Sequence, residues 1–249
     1  MSRTQAVYGL HTVRALLDKH PDRVLEVRIA ERREDPRSHG IESLARERGR
    51  TVRRVSAESL RQMVGDVAHQ GVVAEIVPLA PWSQDDLLAA IAAASRPLIL
   101  ALDGVQDPHN LGACLRTADA CGVLAVIAPK DRAAQLTPAA RKVAAGAAET
   151  TPFVACTNLV RTLQMLKQAG LWLFGAQAQA SQAAYEADLS GGAVLVLGAE
   201  GAGLRQLTQR TCDFTVRLPQ LGAVESLNVS VAAGMLLYEA VRQRAPRRP

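Results

Sequence analysis

The chain has 249 residues, 48% of them apolar, and carries 29 Lys+Arg against 24 Asp+Glu for a formal net charge of +5. That length can bury one full core and a small second one, while four cysteines without a CxxC pair and five scattered histidines give neither a metal site nor a disulfide framework, as expected in a reducing cytoplasm. No apolar run approaches the roughly 18 to 20 residues that span a bilayer, and no apolar signal segment follows Met1, so a soluble protein without a membrane partner is expected.

The first domain is expected over residues 1–77 as a small mixed αβ unit. Residues 6–19 (AVYGLHTVRALLDK) have the pattern of a helix, LEVRIA of a strand, GIESLARERG of a helix, TVRRVS of a strand and GVVAEIV of a last strand. PLAPWSQDD then supplies prolines, a serine and two aspartates, which predicts a linker over 78–95 that runs into the helix DDLLAAIAAA. Charge is spread unevenly. Arg32 and Arg33, Arg46, Arg48 and Arg50, Arg53 and Arg54, and the tail Arg242, Arg244, Arg247 and Arg248 form basic groups in which arginine far outnumbers lysine. Guanidinium forks suit bidentate phosphate contact, so these groups suit a polyanion such as RNA, with a solvated arginine-rich surface as the other reading of the charge.

From residue 96 onward a second domain is expected. PLILALD, VLAVIAP, PFVAC, LWLFGA, AVLVLGA and DFTVRL are short and continuously apolar, with helical segments between most of them. That is the pattern of parallel strands buried on both faces, hence an α/β sheet with crossover helices. Its ligands are expected at the carboxyl ends of the strands.

Three segments of this domain carry the chemistry. In LDGVQDPHNLGACLRTADACG, a strand gives way to a helix whose apolar stripe is Leu111, Cys114, Leu115 and Ala118, with Gly122 placed for a left-handed C-terminal cap. Asn110, just before the stripe, has the character of a helix N-cap, and Arg116 lies off the stripe. In VLVLGAEGAGL the glycines are spaced GxxGxG, which departs from the dinucleotide fingerprint GxGxxG, and no Walker lysine follows. Glu200, a carboxylate among small residues at a strand end, needs a partner, either a backbone amide or an arginine. In RLPQLGAVESLNVSVAAGMLLYEAVR, a strand ends near Leu218-Pro219, Gly222 turns the chain, and Glu225 to Ser230 open the last helix with free amides and short polar side chains.

These three segments resemble the motifs of the SpoU/TrmH (SPOUT) family of RNA ribose 2'-O-methyltransferases, and the resemblance covers most of residues 97–244. It implies a deep C-terminal trefoil knot, S-adenosylmethionine as cofactor, no metal, and a homodimer. It places Asn110, Arg116, Glu200, Ser226 and Asn228 in the active site, and Gly198, Gly201, Leu218, Ser226 and Leu227 against the cofactor. In the N-x-G-x-x-x-R pattern the matching residues are Asn110, Gly112 and Arg116. The opening YGLHTVRALL and the closing HQGVVAEIVP of the first domain resemble an L30e-like substrate-binding domain found in the branch of the family that methylates a guanosine of the peptidyl-transferase loop of 23S rRNA. A tRNA guanosine methyltransferase of the same family, or an inactive RNA-binding relative, are the other readings.

Overall fold

The computed structural model describes residues 4–31, 33, 35–223 and 226–245. Arg32, Glu225, Arg247 and Arg248, named above, lie outside the described residues. The chain forms two compact units, one of Met1–Ala80 with Ala145–Thr150, the other of Pro81–Ala144 with Thr151–Pro249.

The first unit runs β1 (Gln5–Tyr8), α1 (Leu10–Lys19), β2 (Val24–Ala30), α2 (Pro36–Glu47), β3 (Thr51–Val55), α3 (Ala57–Val64) and β4 (Val72–Ile76). Its sheet has the order β1-β4-β2-β3, in which only β2 and β3 are parallel. The single helix expected over 6–19 is in fact a strand and a helix. Gly9, at φ +94°, separates them, because a left-handed turn is open to glycine at no steric cost; Ala6 and Val7 then pair with Glu75 and Ala74 of β4. The helix expected at 40–49 starts earlier, at Pro36. Asp35 caps it by accepting the N–H groups of Arg37 and Ser38, with proline in the first turn where its missing N–H costs nothing. Helix α3, which the sequence reading passed over, is capped in the same way by Ser56. Val13, Leu16 and Leu17 of α1 pack with Ile41 and Ala45 of α2 and with Val27, Ile29, Ala74 and Ile76 of the sheet.

Ala145–Thr150 belongs to this first unit although it lies in sequence far from the rest of it. Its Glu149 is buried. Arg23 donates through Nη1 to the Glu149 carbonyl at 2.6 Å and holds Nη2 3.6 Å from Oε2, while Gln5 Nε2 donates to Oε1 at 3.3 Å. Removing one member of a buried pair strands the other charge, at about 3–5 kcal/mol. Arg23→Ala should therefore weaken the first unit by that order, seen as faster amide hydrogen exchange in β2 and β4. Unchanged exchange would show that water already shares the pair.

The second unit runs α4 (Gln84–Ala93), β5 (Leu98–Asp103), α5 (Pro108–Ala120), β6 (Ala125–Pro129), α6 (Pro138–Ala144), β7 (Phe153–Cys156), α7 (Leu159–Gln168), β8 (Trp172–Ala176), β9 (Gln182–Ala183), β10 (Ala193–Gly198), α8 (Gln206–Thr211), β11 (Phe214–Arg217) and α9 (Val229–Arg244). Seven strands form one parallel sheet in the order β7-β6-β5-β10-β8-β11-β9. Every residue of β5 and β6 is buried, as the continuous apolar runs require. Strand β10 lies between β5 and β8, pairing Gly198 with Asp103 on one side and Val196 with Gly175 on the other. This brings the ends of β5 and β10, which lead into the first two motifs, side by side.

All four cysteines are free thiols. Burial pushes Cys114 and Cys212 up to about 12. An unfolded thiol ionises near its ordinary 9.0, so the stability these groups add is whole below pH 9 and is lost as pH rises toward 12. Thiolate absorbance in a titration to about pH 10 should omit both residues. Their appearance near pH 9 would contradict the burial.

Candidate active site

Helix α5 begins one residue after Asp107. Asp107 is the N-cap, its carboxylate accepting the His109 N–H at 2.8 Å, and Pro108 stands in the first turn. Asn110 is therefore not the cap that its place before the apolar stripe suggested. The Asp-Pro pair outcompetes it, because a residue before proline is held extended, the conformation an N-cap needs. Set inside the first turn, Asn110 has its side chain free for other contacts. The stripe Leu111, Cys114, Leu115 and Ala118 is buried. Gly122 closes the helix at φ +66°, its N–H bonded to Asp119 O and the next N–H, of Val123, to Ala118 O. Gly112 has a packing use: a Cβ there would meet Ala140 O at 2.5 Å and Val143 Cβ at 2.7 Å, so glycine lets α6 lie against α5.

The second motif folds back on the end of β10. Ala199 and Gly203 form an antiparallel bridge, with Gly201 and Gly203 at φ +73° and +64°. Gly198 faces this turn so closely that a Cβ would lie 2.0 Å from the carbonyl carbon of Gly203. The turn thus exists only as backbone on backbone at that point.

In the third motif Asn228 is the N-cap of α9, where its Oδ1 accepts Ser230 N–H at 2.9 Å and Ser230 Oγ–H at 2.6 Å. With the oxygen so engaged, the amide nitrogen points the other way. It donates to Asn110 Oδ1 at 2.9 Å and to Glu200 Oε1 at 2.7 Å. One asparagine thus joins the three motifs. Glu200 finds its partner in this side-chain amide, which is neither of the two kinds of partner anticipated for it. Because Asn110 accepts through its oxygen, its own NH₂ is left as a donor, and Glu200 keeps Oε2 as an acceptor.

A cleft of about 1380 Å³ opens beside this network, at the carboxyl ends of β8, β10 and β11. Gly198, Glu200, Gly201, Leu218, Ser226 and Leu227 line it. Asn110, Arg116 and Asn228 do not, although Asn228 stands between two lining residues, Leu227 and Val229. Arg116 is exposed on α5 and makes no hydrogen bond or ion pair among the described residues. The segment Ala176–Gln179 after β8 also lines the cleft and was missed from sequence; its signal was its place at the end of an apolar strand, the edge where ligands of parallel sheets bind. Arg217 pins the following turn by donating to the carbonyls of Ala180 and Ser181. Among the described residues no cluster of three His, Cys, Asp or Glu side chains could hold a metal ion.

A cleft walled by glycine backbone and small apolar side chains thus lies beside an amide-carboxylate network at the carboxyl ends of the strands of an α/β sheet. Residues 97–238 match the SpoU rRNA Methylase family, and residues 6–82 match the family described as RNA 2'-O ribose methyltransferase substrate binding. The chain belongs to the SpoU methylase family. It is similar to the 23S rRNA (guanosine-2'-O-)-methyltransferase RlmB of Pseudomonas aeruginosa, 52% identical over 99% of both chains, and to that of Escherichia coli K12, 46% identical over 97% of this chain and all of the relative. The AdoMet-bound rRNA methyltransferase of Sinorhizobium meliloti superposes with a TM-score of 0.73 at 25% identity, covering 98% of this chain and 89% of that one. The SpoU methyltransferase AviRb of Streptomyces viridochromogenes shares the fold, with a TM-score of 0.74 at 22% identity over 97% of this chain and 90% of the other.

Proposed function

We propose that this protein transfers a methyl group from S-adenosylmethionine to the ribose 2'-hydroxyl of a guanosine in the peptidyl-transferase loop of 23S rRNA. The observation that carries it is the Asn110–Asn228–Glu200 network at the edge of the glycine-walled cleft, in a chain that covers its RlmB relatives almost end to end. The cleft fits the cofactor: the sites a Cβ would occupy on Gly201 and Gly203 face open space, so a ligand can lie against the loop backbone. In this reading Gly198, Gly201, Leu218, Ser226 and Leu227 hold the cofactor, which supplies an electrophilic methyl on a sulfonium.

The chain's own groups meet the other half of the reaction. A ribose hydroxyl is a weak nucleophile at neutral pH, so orientation and stabilisation of the developing oxygen charge carry most of the rate. Asn110 donates through its free NH₂ and Glu200 accepts through Oε2, which together suit one hydroxyl and fix its direction. Ser226, which lines the cleft, is read as serving the reacting end. Arg116 offers a fork of N–H donors and no acceptor, which suits binding an anion and does not suit taking a proton. Its part is to clamp the adjoining phosphate and stabilise the alkoxide.

The first unit is the rRNA-binding element, supported by the substrate-binding match over residues 6–82. A homodimer is supported by α9, where Val231, Met235 and Tyr238 recur at helical spacing and are about half or more exposed. A cytoplasmic setting is supported by the free thiols, and no helix among the described residues is long and apolar enough to cross a membrane. The trefoil knot is supported by the family match over residues 97–238.

The test is transfer of radiolabelled methyl to unmethylated 23S rRNA fragments and to unmodified tRNA, with the modified ribose mapped and the enzyme's mass measured by sedimentation. Label at one peptidyl-transferase-loop guanosine by a dimer is expected. Label on tRNA alone would replace the substrate, and a fully active monomer would remove the dimer.

A further inference from the structure

The buried end of β5 holds a carboxylate that the scheme above leaves unused. Asp103 is 1% exposed. Its Oδ2 accepts the backbone N–H of Arg205 at 3.0 Å, whereas Oδ1 has no hydrogen bond and stands 3.5 Å from Arg205 Nε. A carboxylate withdrawn from water requires a cation, and Arg205 is the one placed against it. The contact aims the guanidinium. Gly104, at φ +80°, leaves the room it needs, since a Cβ there would lie 3.2 Å from Nη2. The Arg205 side chain is nonetheless 51% exposed, and neither Nη1 nor Nη2 donates to any described residue. Arg205 directly follows Leu204, the end of the loop lining the cleft, and lies against the Asp103-Gly104 turn that leads into the first motif.

We infer that Arg205 binds a phosphodiester of the substrate RNA, and that Asp103 is the residue that positions it. The inference rests on the proposed RNA ribose methylation. With Nε turned to Asp103, the two terminal amino groups form an outward fork that matches a pair of phosphate oxygens. The contact with Asp103 restrains the side chain before RNA arrives, which lessens the entropy lost on binding. A phosphate held there stands beside the Asp103-Gly104 turn, from which the chain runs on to Asn110 in α5.

The test uses the full-length protein and a 23S rRNA fragment, comparing wild type with Arg205→Gln, which keeps the backbone N–H on Asp103. RNA Kd and KM should rise about tenfold, the worth of one charge-assisted hydrogen-bonded contact. S-adenosylmethionine affinity and kcat should stay unchanged. The slope of log Kd against log salt should shrink by about 0.7–0.9, the value for one phosphate contact. Arg205→Lys should keep that slope, and Arg161→Gln, an exposed arginine of α7, should change nothing. Unchanged RNA affinity and slope would overturn the proposal. So would loss of cofactor affinity and kcat with RNA binding intact, which would make Arg205 a pin of the glycine loop. Absence of methyl transfer by wild type would instead fault the proposed reaction, while the binding slopes would still judge Arg205.

Discussion

Replacing Arg116 by alanine is expected to cut methyl transfer by about a hundred- to a thousandfold, the scale set by removing one preorganised charge-stabilising donor. Stability should hold within about 0.5 kcal/mol, the range for exposed side chains without special contacts, because Arg116 makes no hydrogen bond or ion pair among the described residues. Affinity for S-adenosylmethionine should also hold, since Arg116 is not among the residues that line the cleft. Single-turnover rates and calorimetric cofactor titration would check both halves together. If cofactor affinity fell in step with the rate, Arg116 would be part of the cofactor site and the division of labour set out above would be wrong.

Gly198→Ala, unlike Arg116→Ala, should abolish cofactor binding. The added methyl would sit 2.0 Å from both the carbonyl carbon and oxygen of Gly203 and 2.4 Å from the Leu204 nitrogen. All three are backbone atoms, so no side chain can swing aside and the whole turn has to move. Overpacking of that kind costs typically about 1–3 kcal/mol, and here the displaced atoms are the cleft wall itself. Gly201→Ala is the comparison for the shape and stability of the turn alone, since Gly201 is itself among the residues read as holding the cofactor. Its Cβ would meet nothing within 4 Å, so the penalty is only that of a left-handed alanine, about 1–2 kcal/mol, with the wall in place. Equal cofactor affinity for Gly198→Ala and wild type would show that the turn is free to rearrange.

The second unit was far more legible in the sequence than the first. Strands buried on both faces write themselves as unbroken apolar runs, and β5, β6 and β10 follow theirs to within two residues. The first unit has half-covered elements, where the period is less clear. Residues 6–19 contain both a strand and a helix with no polar break between them, and only Gly9 marks the change. The gathering of the three motifs at one edge of the sheet was legible, but the wiring between them was not. Asn110 had the right neighbourhood for a cap, and the decision between it and Asp107 turned on one proline. That Asn228 would cap a helix with its oxygen and join two other motifs with its nitrogen depends on contacts 28 and 118 residues away in sequence. No local pattern encodes contacts of that range. Asp103 was hidden for a related reason: it ends an apolar strand and gives no periodic signal, and its partner lies 102 residues on.

The two-segment make-up of the first unit bears on how such proteins can be cut and recombined. A seam at residue 80 looks natural on paper, yet a fragment ending there lacks Ala145–Thr150 and with it the carboxylate that Arg23 and Gln5 contact. The complementary fragment would carry Glu149 away from both. A chimera that exchanges the first unit between relatives therefore needs three junctions, one near residue 80 and the two ends of a six-residue graft at 145–150. In this chain the heritable module is discontinuous, and its smaller piece travels inside the sequence of the other.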